Sequence, residues 1–165
     1  MTDEPQIKLE VVSNPLLNSG VRELVAAVAK RLGFSDESCG QIALAVDEAL
    51  CNVERHGYAK ATDRPIWVTL VAVGGLAESS AQPSPTRSLK IVIEDESTNV
   101  DLHKIKSRPL DEVRPGGLGV HIIRQVMDEV RYEHRQPSGL RLTLIKHRQP
   151  GAPARSARAK DDARE

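Results

Sequence analysis

Aromatic residues are nearly missing from this chain of 165 residues: Phe34, Trp67, Tyr58 and Tyr132 are all it has. The core must therefore be aliphatic, and the modules that bind RNA by stacking bases on aromatic rings lose their main tool. Cysteine is also scarce. Cys39 and Cys51 have neither the spacing of metal ligands nor a secretory context, so they read as small helix residues in a reducing compartment. Net charge is absent as well, since Lys plus Arg and Asp plus Glu both number 23. That balance argues against a grip on nucleic acid through bulk charge. No apolar run approaches the roughly 18 residues of a membrane span and no signal-like N-terminus is present, so a cytoplasmic protein without a membrane segment is expected.

What is there fits one domain, expected over residues 1–149, with a disordered tail at 150–165. Ile7 to Val12 alternates apolar and polar residues in a β-branched setting and predicts a short strand, suited to a sheet edge. Asn14-Pro15 breaks it. From about Ser19, Val21, Leu24, Val25, Val28 and Leu32 follow helical spacing, and Gly33 is placed to cap the end. Ser35 offers an N-cap for a second helix reaching about His56, with Asp36 and Glu37 in its first turn. Ile66 to Val73 and Leu89 to Glu94 read as buried strands joined by a polar, Pro/Ser-rich loop at 74–87, expected to be mobile. A long lid at 96–119 precedes a helix marked by Val120, Ile123, Val126 and Met127. Strands at Val130 to His134 and Leu140 to Lys146 then form a hairpin across Pro137-Ser138-Gly139. Hairpin-joined strands with helices grouped between them predict an α+β fold, a two-layer α/β sandwich with a mixed, mainly antiparallel sheet and helices on one face.

Three features carry chemical potential, and each has a plain structural reading beside it. Glu48, Asn52 and His56 stand at i, i+4 and i+8 along the edge of an apolar helix face, while Asp47, Glu54 and Arg55 point elsewhere. A carboxylate, an amide and an imidazole so arrayed suit a proton transfer and a hard cation, or equally the polar rim of a core. The run Gly116-Gly117-Leu118-Gly119 leads directly into a helix, where glycine permits close approach and exposed N–H groups favour an anion; such glycines also serve as turns. Arg114 lies two residues upstream, placed to add a charge to a phosphate or to sit as a surface cation. Asp95 closes an apolar strand, where a carboxylate can accept from an exocyclic amine or act as a turn residue.

Taken together, Glu48-xxx-Asn52-xxx-His56-Gly57-Tyr58, Asp95 at a strand end, and Gly117-Leu118-Gly119 followed by IIRQVMDEVRY resemble the bacterial anti-sigma factor serine/threonine kinases. These belong to the Bergerat-fold (GHKL) ATPase superfamily, and the likeness covers about Ile7 to Lys146. The resemblance implies that Glu48 is the general base and that Asn52 supplies an amide oxygen to Mg²⁺. It further implies that Asp95 binds the adenine amino group of ATP and that Gly117, Leu118 and Gly119, with Arg114 nearby, wrap the phosphates. His56 is left a structural or supporting role.

The implied reaction is transfer of the γ-phosphoryl of ATP to a serine or threonine of a STAS-type anti-sigma factor antagonist, by a protein that also sequesters a sigma factor and is able to form a homodimer. One position departs from the family: its Asp-x-Gly motif is Asp95-Glu96-Ser97 here. Serine lacks glycine's backbone freedom and adds a side chain close to the implied adenine, so either nucleotide binding is weakened or the Ser97 hydroxyl faces the ligand. The alternative expectation is a protein-binding module of the same fold with weak or no catalysis. A catalytic domain detached from a sensor histidine kinase is disfavoured, because no phosphoacceptor helix precedes the domain.

Overall fold

Asn14 both stops the first strand and starts the first helix. In the computed structural model, which describes residues 4–74, 88–98, 102, 105 and 118–149, strand β1 spans Ile7–Val12 and helix α1 spans Pro15–Arg31. Asn14 is extended, and its side chain accepts a hydrogen bond from the Leu16 N–H at 3.1 Å. Pro15 fits the first helical position because the N–H it lacks would have no partner there. The helix thus begins four residues before the Ser19 expected from periodicity: the dipeptide read as a breaker is also an N-cap. At the other end Gly33, at φ +84°, donates to the Lys30 carbonyl and closes the helix as expected.

Helix α2, Asp36–Asn52, is capped by Ser35, whose hydroxyl accepts from the Ser38 N–H at 3.1 Å, with Asp36 and Glu37 in the first turn. Beyond Asn52 the expected helix does not continue as α: Val53–Gly57 forms a π-helical turn. Strands β2 (Pro65–Val73) and β3 (Ser88–Glu94) follow, then helix α3 (Leu118–Val126), which begins two residues before Val120, and strands β4 (Glu129–His134) and β5 (Leu140–His147).

The strands form one sheet in the order β1-β2-β3-β5-β4, with β1 at an edge as expected. The sheet is the mainly antiparallel one anticipated, and among the described residues all of its pairings are antiparallel. Strand β4 consequently runs in the direction of β3 with β5 between them. Helix α3 lies beside α2, and α1 packs against α2 as well.

Alternate residues make the single-faced core. Ile66, Val68 and Leu70 of β2, Leu89, Ile91 and Ile93 of β3, and Leu142 and Leu144 of β5 pack with Val25, Ile42, Val46, Leu50 and Ile123 from the helices. A period of two on the strands and of 3.6 on the helices sends both sets to one layer boundary, and each fully buried aliphatic chain contributes about 1.5–3 kcal/mol. Among the described residues, no helix is long and apolar enough to cross a membrane. The loop at 74–87 beyond Gly74, most of the lid including Arg114 and Gly117, and the tail at 150–165 lie outside the described residues.

Candidate functional site

Glu48 and Asn52 occupy the last two turns of α2, half-buried, one turn apart and therefore on one face. That face meets the first turn of α3. A Cβ added to Gly119 would lie 2.5 Å from Oε2 of Glu48 and 3.4 and 3.5 Å from the amide nitrogen and oxygen of Asn52. A side chain at this point would displace the tip of the Glu48 carboxylate, because the α3 backbone runs close against it. The structure thus brings together three of the residues singled out from sequence, Glu48, Asn52 and Gly119. Leu118, which opens α3, is 62% exposed.

A second group forms where β3 ends. Asp95 is 1% exposed, and its Oδ1 accepts hydrogen bonds from the Ser97 N–H at 2.7 Å, the Ser97 hydroxyl at 2.5 Å and the Leu140 N–H at 3.2 Å. The backbones of the same two strands are tied there as well, with the Asp95 N–H donating to the Leu140 carbonyl at 3.1 Å. Gly139 makes this approach possible. It sits at φ +114°, and a Cβ on it would overlap the Asp95 carbonyl oxygen. In the sequence Gly139 is only a hairpin residue; its contact with Asp95 joins the ends of the neighbouring strands β3 and β5 and has no local signal.

The turn after α2 joins the two groups. Gly57 faces Ser97, whose Cβ lies 3.1 Å from where a Gly57 Cβ would be. Tyr58, 8% exposed, accepts from the Glu96 N–H at 2.7 Å and donates to the Pro65 carbonyl at 2.6 Å. Burial holds its hydroxyl above the usual phenol range, so it keeps the proton that it donates. Gly57 and Tyr58, which the sequence reading notes without assigning a role, thus bracket Asp95-Glu96-Ser97 from the helical side. The bracket answers the steric objection to Ser97: its side chain is directed at Gly57 and the Asp95 carboxylate, and the residue is 5% exposed.

His56 does not extend the row begun by Glu48 and Asn52. It is exposed within the π-helical turn, where the i→i+5 pattern replaces the spacing on which an i+8 partner depends. Glu54, expected only to point elsewhere than that row, is 5% exposed and accepts from the Asn18 side chain of α1 at 3.3 Å, leaving its Oε1 without a partner. Helix α2 is flanked by α1 as well as α3, so more of its circumference is buried than an amphipathic projection allows. Burial raises the Glu54 carboxyl above its ordinary range, opposed by the Asn18 hydrogen bond. Burial also raises both cysteine thiols, so neither Cys39 nor Cys51 is an activated thiolate.

Two surface grooves among the described residues lie elsewhere. One of about 480 Å³ is lined by Ser35, Ser38, Gln41, Lys146 and His147 at the far end of α2, and one of about 430 Å³ lies beside Val12 and Pro65.

Comparison with known proteins adds an independent line. Residues 13–146 match the family described as histidine kinase-like ATPase domain. The chain is 28% identical to a serine-protein kinase RsbW of Oceanobacillus iheyensis over 143 residues, covering 82% of this chain and 83% of that one. Its identity to the serine-protein kinase RsbW of Bacillus subtilis is 24%, with 86% and 84% of the two chains covered. A serine-protein kinase RsbW of Halalkalibacterium halodurans is 28% identical, with coverage of 76% and 73%.

Proposed function

We propose, from the premise that the chain belongs to the histidine kinase-like ATPase domain family, that it is an anti-sigma factor with ATP-dependent protein serine/threonine kinase activity. Its substrate in this reading is a serine or threonine on a STAS-type antagonist, its second partner is a sigma factor, and it works in the cytoplasm. The observation that carries the reading is the convergence of Glu48 and Asn52 on the backbone of Gly119. A general base and a cation ligand held against the first turn of a helix, where N–H groups face outward, suit transfer of a phosphoryl group.

Glu48 accepts the proton of the attacking hydroxyl as that oxygen forms its bond to the γ-phosphorus, and the bond from phosphorus to the β-phosphate oxygen breaks to leave ADP. Its half-buried position on a rigid helix keeps the carboxylate within reach without long rearrangement. Asn52 fits Mg²⁺ as a single neutral oxygen donor. A single donor of that kind suits an ion that leans on substrate phosphates and water. When bound, Mg²⁺ neutralises charge that builds on the phosphate oxygens. Asp95 accepts from the adenine amino group at the other end of the site. Gly117 and Arg114, with Leu118 and Gly119, are assigned to the phosphates.

The packing of Ser97 against Gly57, with its hydroxyl on Asp95, supports a working site over a module that has lost its chemistry. The test is phosphate transfer from labelled Mg²⁺-ATP to the antagonist. The parent is expected to label it, and Glu48→Ala to lose at least 100-fold in rate while still gaining thermal stability from nucleotide. No transfer by the parent, or equal transfer by Glu48→Ala, refutes the reading.

A further inference from the structure

Asp95 is held in an unusual way for a buried carboxylate. Its Oδ1 takes all three donors that the described residues offer, from Ser97 N–H, Ser97 Oγ–H and Leu140 N–H. None of the described residues donates to Oδ2. Exchanging the two oxygens by rotation would break three charge-assisted hydrogen bonds at once, so among the described residues Oδ1 is committed to the protein and Oδ2 stays open to a ligand. An ionised carboxylate oxygen accepts only. It receives an amino hydrogen and repels a carbonyl oxygen.

We propose that Ser97 is a positioning residue for base recognition: its hydroxyl fixes the Asp95 carboxylate so that Oδ2 selects a purine with an amino group at C6 over one with hydrogen or a carbonyl there. This inference rests on the reading of the site as one for ATP. Glycine at 97 would keep the N–H donor and lose the hydroxyl, so the side chain that sets this chain apart supplies the extra bond. Gly57 completes the device. With Ser97 Cβ 3.1 Å and Oγ 3.4 Å from the place of a Gly57 Cβ, any side chain at 57 presses on Ser97 and shifts it by a few tenths of an ångström.

The test measures, by calorimetry on the full chain, the affinities for ATP, for purine riboside triphosphate, which carries hydrogen at C6, and for GTP. The parent is expected to prefer ATP over both others. In Ser97→Ala the ATP affinity should fall about tenfold, the scale of one hydrogen bond to a charged group, and the affinity for purine riboside triphosphate should change less than about twofold. Gly57→Ala should narrow the same ratio, and serves if Ser97→Ala does not fold. If the parent binds ATP and the ratio stays put in both variants, or if both nucleotides lose equally, the positioning role is overturned while the kinase reading stands. If the parent binds no ATP, both fall.

Discussion

Gly119→Ala separates catalysis from stability. The added Cβ would stand 2.5 Å from Oε2 of Glu48, roughly 1 Å inside ordinary van der Waals contact, but only in ordinary contact with the Asn52 amide. Oε2 is the tip of a flexible side chain, so it can swing aside at small cost. Gly119 is in α3 without a positive φ, so alanine suits its backbone and adds about 0.5–1 kcal/mol of helix stability. The fold should therefore be unharmed or slightly firmer. Catalysis should not be, since a displacement of about 1 Å in a reacting group can cost roughly 100-fold, or about 2.7 kcal/mol of barrier. The assay pairs initial rates of phosphate transfer at saturating ATP with thermal unfolding of the same preparation. A kcat about 100-fold lower with Tm equal or higher is the expected result. A kcat within threefold of the parent would show that Glu48 does not act from the place described, and a large drop in Tm would show that the contact is structural.

Three further substitutions test other parts. Tyr58→Phe strips the Glu96 N–H and the Pro65 carbonyl of a shared partner, and should lower stability by about 1–3 kcal/mol in urea unfolding while weakening ATP binding through the loosened Asp95 turn. Because burial raises the Glu54 carboxyl above its unfolded value, its stabilising contribution is full below the ordinary carboxylate pKa and is lost as pH rises through the raised one. Glu54→Gln removes that titration, so Tm measured across pH should show the variant gaining on the parent from acid toward neutral; a constant difference would contradict the assignment. Ile91→Ala, at a fully buried position in the middle of the sheet, should cost about 2–5 kcal/mol in urea unfolding with an unchanged m-value.

Much of this was legible in the chain because the core depends on repeated local patterns. Ile66, Val68 and Leu70, then Leu89, Ile91 and Ile93, alternate inward without interruption, and Ser35 announces its helix by accepting from the Ser38 N–H three residues on. Glu48 and Asn52 stand out because a spacing of four places two polar groups on one face. What stayed hidden depends on partners distant in sequence or on geometry that leaves no period. Five residues of π-helical turn cannot be told from α by apolar spacing, so His56 was aligned with a row it leaves. Glu54 is buried by Asn18, 36 residues earlier, and Gly139 meets Asp95 from 44 residues later. No window along the sequence contains either pair.

Ser97 shows why a departure from a family pattern is better weighed against its contacts than by itself. Considered singly, a serine where the pattern has glycine adds atoms to a crowded turn. In the structure those atoms occupy the space that Gly57 leaves open, and the hydroxyl is spent on Asp95. Gly119 against the Glu48 carboxylate and Gly139 against the Asp95 main-chain carbonyl repeat the arrangement: at each point one residue lacks a side chain so that atoms of another can occupy the place. Close packing makes such contacts pairwise, because neither member can change volume without moving the other. The two ends of the site are linked through the chain, since Gly57, which accommodates Ser97, closes the π-helical turn that follows directly on the helix carrying Glu48 and Asn52. A substitution in that turn is therefore felt at Asp95 before it is felt at Glu48.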